Sequence, residues 1–109
     1  MTDKSIVLTT TDSKEKAQRI ARSLVDRRLA ACVNVVGPIE SVYRWKENVE
    51  TAQEWLLVVK TTSAAFERVR ESIRELHSYE LPECIAVPIN DGSEDYLDWI
   101  GENVTSESL

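Results

Sequence analysis

Apolar residues recur along this chain in two ways, as runs of strand-forming character and as stripes at spacings of three and four, and these divide it into alternating strands and helices. The longest such stretch, Ala30 to Thr62, holds two strand-forming runs. The first passes from Cys32-Val33-Asn34-Val35-Val36 through Ser41-Val42-Tyr43-Arg44-Trp45. The second, Thr51 to Thr61, centres on Trp55-Leu56-Leu57-Val58-Val59. Between them Lys46-Glu47-Asn48-Val49-Glu50 is short and polar, and Asn48 tolerates a left-handed φ, so a hairpin turn is predicted there. Fully extended, the first run would reach roughly 45–50 Å, whereas a domain of this chain length is only about 34 Å across. The expectation is that Gly37-Pro38 bends the strand and that the hairpin overhangs its own domain to meet another copy.

The remaining elements follow in order. Ser5 to Thr10 is a short apolar run that suits a central strand buried on both faces. Asp12, with Glu15 three residues on, predicts a helix start. Ala17, Ile20, Ala21, Leu24 and Val25 form the inner stripe of that helix, which ends near Arg27-Arg28. Ser63 predicts the cap of a second helix with Phe66, Val69, Ile73 and Leu76 inside. Glu67 with Arg70, and Glu71 with Arg74, lie on its wet side. His77 closes it and Pro82 prevents continuation. Glu83 to Ile89 reads as a fourth strand, placed at a sheet edge because Pro88 has no N–H to donate. Asn90-Asp91-Gly92 turns the chain into a last helix starting at Ser93, with Tyr96, Leu97, Trp99 and Ile100 inward. Thr105 to Leu109 is expected to fray.

This order, β-α-β-β-α-β plus a C-terminal helix, predicts an α+β fold of ferredoxin-like type: one domain over 1–109, a four-stranded antiparallel sheet with helices on one face and a long protruding hairpin. The other sheet face is then uncovered, and assembly through it is the expected remedy.

A chain of 109 residues with 42% hydrophobic and 29% charged residues is that of an ordinary globular protein. Its net charge of −6 argues against sequence-independent nucleic-acid binding, which needs a basic surface, and against an anionic membrane surface. No apolar run approaches the ~20 residues of a membrane span. The first residues lead directly into Ile6-Val7-Leu8 without a signal-like segment, so a cytoplasmic protein is expected, with Cys32 and Cys84 reduced.

Gly-rich phosphate loops, HExxH, GxSxG and paired-cysteine zinc motifs are missing, which weighs against hydrolase chemistry. His77, the only histidine, reads first as a helix C-terminal residue. As a metal ligand its best partner is Cys32, and thiolate with imidazole favours copper or zinc over magnesium or calcium. Nothing in the spacing brings the two together, either as ligands or as a catalytic dyad. Tyr43, Trp45 and Trp55 concentrate aromatic character on the hairpin, as an interface would. Lys60, Tyr79, Glu80 and Glu83 are useful polar groups for a cleft.

Taken together, Ala30-Ala31-Cys32-Val33-Asn34-Val35, Ser41-Val42-Tyr43-Arg44-Trp45, Glu54 to Thr61, His77-Ser78-Tyr79-Glu80-Leu81-Pro82-Glu83 and Tyr96-Leu97-Asp98-Trp99 resemble the CutA family of divalent-cation tolerance proteins, in the family's order and over roughly residues 5 to 104. The resemblance implies a ferredoxin-like protomer, a homotrimer built like the PII signalling proteins and no enzymatic activity. It also implies binding of divalent ions such as copper, with no required cofactor. It places Cys32 and His77, as metal ligands, with Trp45, Lys60, Tyr79, Glu80 and Glu83 near clefts between subunits. Two departures stand out: Glu47 replaces the family's usual Gly, which would shift the turn geometry onto Asn48, and Ser78 replaces its usual Pro. Cys84 stands where an aliphatic residue is usual and is read as core. Three functions are carried forward: a trimeric metal-binding tolerance protein, a PII-like module binding a small anionic metabolite with Lys60 or Lys46 as counter-charge, and a structural trimer that anchors another protein.

Overall fold

The computed structural model describes residues 2–105. In chain order it contains β1 (Lys4–Thr11), α1 (Lys14–Asp26), β2 (Cys32–Trp45), β3 (Asn48–Thr62), a 3-10 turn (Ser63–Ala65), α2 (Phe66–Leu76), β4 (Ile85–Pro88) and α3 (Glu94–Glu102). The strands form one sheet in the order β2-β3-β1-β4, every neighbouring pair antiparallel. This is the ferredoxin-like α+β arrangement with an added C-terminal helix.

Strand alternation decides what each face carries. Val7 and Thr9 of β1 lie opposite Val59 and Leu57 of β3, and all four are fully buried. On that side Ala17, Ile20 and Leu24 of α1 and Val69 and Ile73 of α2 close the core. Burial of each of the larger side chains contributes about 1.5–3 kcal/mol. The opposite parity puts Ile6 and Leu8, Leu56, Val58 and Lys60, Cys32, Asn34 and Val36, and Ile85 and Val87 on the second face. Among the described residues α1 and α2 pack on the other side, α3 comes close only at one end, where Gly101 lies against the Lys4 side chain, and much of this face is open: Ile85 is 51% exposed, Val87 45% and Val36 45%. β1 is therefore central but, within one protomer, buried on one face rather than two.

Local signals explain most boundaries. Ser13, not Asp12, caps α1, its side chain accepting from the Lys16 N–H at 3.1 Å. Asp12 instead pairs with Lys16 Nζ at 3.0 Å. At the other end Arg28 takes φ 59°, and the Leu29 N–H reaches back to the Leu24 carbonyl at 2.9 Å, the Schellman arrangement. Val25 lies 40% exposed, outside the stripe assigned to it. Ser63 opens the 3-10 turn instead of capping α2, and its hydroxyl bonds the Ser5 hydroxyl at 2.8 Å. Of the two predicted helix pairs, Glu67–Arg70 forms, at 2.5 Å.

The hairpin gives the chain its length, 43 Å against 28 and 21 Å on the other axes. β2 and β3 pair throughout except for an irregularity between Val36 and Ile39. There Gly37 has no Cβ because one would overlap the Trp55 indole. The turn is tighter than expected. Lys46 and Glu47 alone make it, at φ 50° and 71°, and Asn48 already belongs to β3. Positive φ at both central residues is the turn whose twist matches the flanking strands.

β4 is shorter than predicted but lies at the sheet edge, with Pro88 opposite Ser5. On α3, Ile100 is buried and Leu97 packs beside it with Val104. Tyr96 and Trp99 are 45% and 41% exposed, correcting their inward assignment: so short a helix presents only one stripe, and Leu97 and Ile100 take it. Thr105 does not fray, since its N–H donates to Arg28 O at 2.9 Å and its carbonyl accepts from Arg68 at 3.0 Å. The rest of the segment expected to fray lies outside the described residues.

Candidate functional site

At the hairpin end of the uncovered face, β2 residues Ser41 to Trp45, Thr10, Glu54 and the Tyr79–Glu83 segment after α2 enclose a cleft of about 520 Å³. Parity again explains the lining. Thr10 continues the Ile6-Leu8 row and Glu54 the Leu56-Val58 row, so both face this side of the sheet.

His77 fastens the loop that forms the far wall. Its Nε2–H donates to the Thr10 carbonyl, and its Nδ1 accepts from the Tyr79 N–H at 3.1 Å. The Tyr79 ring lies 4.6 Å from the imidazole, tilted by 51°. Lys16 Nζ adds a bond to Ser78 at 3.0 Å. Held this way, the Tyr79 hydroxyl donates to Glu54 Oε2 at 2.6 Å. Glu54 is 8% exposed. Burial raises the Tyr79 pKa above the ordinary phenol value, and the bond to Glu54 and the charges of Glu54 and Asp12 raise it further.

The residues expected at a site divide between two places. Trp45, Tyr79, Glu80 and Glu83 line the cleft. Cys32 and Lys60 do not line it. They face each other across β2 and β3 farther along the open face, where the Lys60 ammonium donates to Asn34 Oδ1 and Cys32 Sγ lies 3.9 Å from the same oxygen. Cys32 is level with Ile6 through Lys60, whereas His77 is bonded at Thr10. The separation is about 13 Å along β1 and about 10 Å across two strand spacings.

One protomer therefore does not assemble the Cys32–His77 copper pair, nor a Cys–His dyad. Both imidazole nitrogens are engaged within the chain, and the immediate neighbours of Cys32 are an amide and an ammonium. Among the described residues, no three His, Cys, Asp or Glu side chains converge to hold a metal ion. Cys84 packs against the core, as expected, and burial raises its thiol pKa.

Glu54, Thr10, Tyr43 and Arg44 also line the cleft, and sequence reasoning did not assign them to one. For Glu54 a signal existed, a lone carboxylate sharing the strand parity of Leu56 and Val58. The Tyr79 that satisfies it stands 25 residues away, beyond the reach of spacing arguments.

The CutA1 divalent ion tolerance protein family matches the chain over residues 5–103. The chain is 50% identical over 98 residues to the divalent-cation tolerance protein CutA of Thermus thermophilus, covering 90% of this chain and 95% of that one. It is 42% identical over 100 residues to its namesake from Archaeoglobus fulgidus, covering 92% and 97%. Against longer plant relatives named chloroplastic it spans only 58% of the rice protein and 52% of the Arabidopsis thaliana one. The solved Thermus thermophilus structure superposes with a TM-score of 0.92 at 48% identity, covering 94% of this chain and 99% of that one. The Xylella fastidiosa CutA structure gives 0.93 at 36% identity, covering 95% and 100%. The chain belongs to the CutA1 divalent ion tolerance family.

Proposed function

We propose that the chain acts in divalent-cation tolerance as a homotrimeric binding protein without catalytic activity, in which a metal ion such as copper is held between copies. The observation that carries this reading is the uncovered sheet face. Ile6, Leu8, Leu56, Val58, Ile85 and Val87 form a continuous apolar layer on it, and an apolar layer of that size on a small domain calls for a cover. Cys32 lies on the same face. Closing it with a second and third copy would bring new donors to a soft ligand that has no such group around it among the described residues of its own chain.

The test is a copper titration of reduced, tag-free protein, comparing the parent with Cys32→Ser and His77→Ala and measuring trimer content each time. Cys32→Ser should weaken binding with assembly intact. His77→Ala should act on the cleft loop and leave copper affinity unchanged at constant trimer content. Equal affinity in the parent and Cys32→Ser would remove Cys32 from the site.

The alternative of a PII-like module for an anionic metabolite is less favoured by the geometry. Lys60 is bonded to Asn34 away from the cleft, and Lys46 stands over the Trp45 ring at the hairpin turn. The cleft itself carries three carboxylates and one guanidinium. A structural trimer that anchors another protein would leave the cleft without a ligand. The proposed compartment is the cytoplasm, on the free thiols of Cys32 and Cys84. No helix among the described residues is long and apolar enough to cross a membrane.

A further inference from the structure

Between β4 and α3 the chain runs through residues 90–93, which lie in no strand or helix and are exposed at every position. This segment holds the only Asp-Gly pair in the sequence, Asp91-Gly92. The two groups that could react there are in contact. The Gly92 N–H donates to Asp91 Oδ1 at 2.8 Å, and it enters none of the backbone hydrogen bonds among the described residues. Oδ1 is one covalent bond from Cγ, so the amide nitrogen already stands beside the carbon it would attack.

Gly92 has no side chain to shield that nitrogen. Every other aspartate is followed by a residue that has one. Asp26, Asp95 and Asp98 also lie in helices, which fix the backbone, and Asp3 and Asp12 are paired with Lys4 and Lys16. Asp91 has neither restraint: it lies in a loop and takes part in none of the ion pairs formed among the described residues.

We propose that Asp91-Gly92 is a site of spontaneous backbone modification, at which aspartate isomerises to isoaspartate. In the first step the Gly92 nitrogen bonds to Cγ of the protonated Asp91 carboxyl. The nitrogen loses its proton, the bond from Cγ to the hydroxyl oxygen breaks, and one water leaves a five-membered succinimide. Water then adds to one of the two ring carbonyl carbons, and the bond from that carbon to nitrogen breaks. Opening at Cγ restores aspartate. Opening at the main-chain carbon routes the backbone through Cγ and frees an α-carboxylate, with no net change of mass or oxidation state. The partner this implies is a carboxyl methyltransferase specific for isoaspartate, which would recognise that carboxylate in an exposed loop. The added backbone atom falls just ahead of Ser93, whose carbonyl accepts from the Leu97 N–H at 3.0 Å, so the change marks the entrance to α3. It is independent of the metal-tolerance reading.

The experiment ages the assembled protein at neutral pH and physiological temperature in water labelled with heavy oxygen. The peptide containing Asp91 is then read by chromatography and mass spectrometry. An isoaspartyl form carrying one labelled oxygen should accumulate about tenfold faster than at any other aspartate. Methyl transfer from a radiolabelled sulfonium donor by an isoaspartyl methyltransferase should rise in step. Asp91→Glu, whose carboxyl lies one methylene farther out, should give no such product. Gly92→Ala should slow its formation about tenfold, and there the new Cβ meets only the end of the Leu97 side chain, at 3.3 Å. Isoaspartate at 91 no faster than at the other aspartates, or an unchanged rate in Gly92→Ala, would overturn the proposal. So would a native rate more than about tenfold below that of the urea-unfolded chain, since the fold would then be closing the site. Failure of the aged protein to accept methyl groups would overturn the partner.

Discussion

Thr9 offers a sharp test of the packing described above. Its side chain lies on the helix side of β1, opposite Leu57 and between Ser5, Val7 and Thr11 in the alternation, at 0% exposure. Its Oγ1 is buried with no hydrogen-bond partner. A buried hydroxyl in that state costs about 1–3 kcal/mol of desolvation. Valine has nearly the same shape and replaces the hydroxyl by a methyl group without asking the core to expand. Thr9→Val should therefore stabilise the chain by about 1–2 kcal/mol. For domains of roughly this size each kcal/mol raises the melting temperature by about 4–8 °C. Thr61 is the control, because it is equally buried but its Oγ1 donates to the Leu29 carbonyl at 2.6 Å. Thr61→Val removes a satisfied bond and should destabilise by about 1–3 kcal/mol. Reversible thermal and denaturant melts at one fixed protein concentration would measure both, since assembly makes the midpoint concentration-dependent. Loss of stability in Thr9→Val would refute the argument and imply that a buried water bonds the hydroxyl.

Two further outcomes follow from the same geometry. Val58 lies on the uncovered face and the fully buried Val59 on the core face, so Val58→Asp should cost several kcal/mol of assembly while leaving a folded protomer, whereas Val59→Asp should abolish folding. Size-exclusion chromatography with circular dichroism separates the two, and a Val58→Asp trimer of parental stability would contradict the assignment of that face. Tyr79 has a pKa raised in the folded state: its stabilisation is fully present below the unfolded phenol value of about 10 and is lost as pH rises from there through the folded pKa. Stability measured against pH should decline less steeply in Tyr79→Phe over the alkaline range, and identical profiles would count against the Glu54–Tyr79 bond.

The order and type of elements were legible because alternation and helical stripes are local. The hairpin overhang followed from length alone. Single-residue choices were not. Asp12 and Ser13 are adjacent and equally good caps, and only the path of the chain selects Ser13. In Leu56-Leu57-Val58-Val59 four apolar residues in succession conceal which parity is buried; Lys60, in step with Val58, was the clue that this parity faces outward. The turn residues were misplaced because Lys46 and Glu47 adopt positive φ without the glycine or asparagine that usually signals it. Tyr79, Glu80, Glu83 and Trp45 were recognised as site residues, but their convergence on Glu54 depends on the hairpin and the His77-anchored loop meeting in space. Cys32 and His77 were paired on ligand chemistry, and within one protomer the sheet separates them.

The central claim is that copies of the chain close the open sheet face. Sedimentation equilibrium of tag-free protein at micromolar concentration tests it most directly. The account predicts a single species of three times the 12.4 kDa chain mass. A stable, folded 12.4 kDa monomer with that face exposed to water would contradict it.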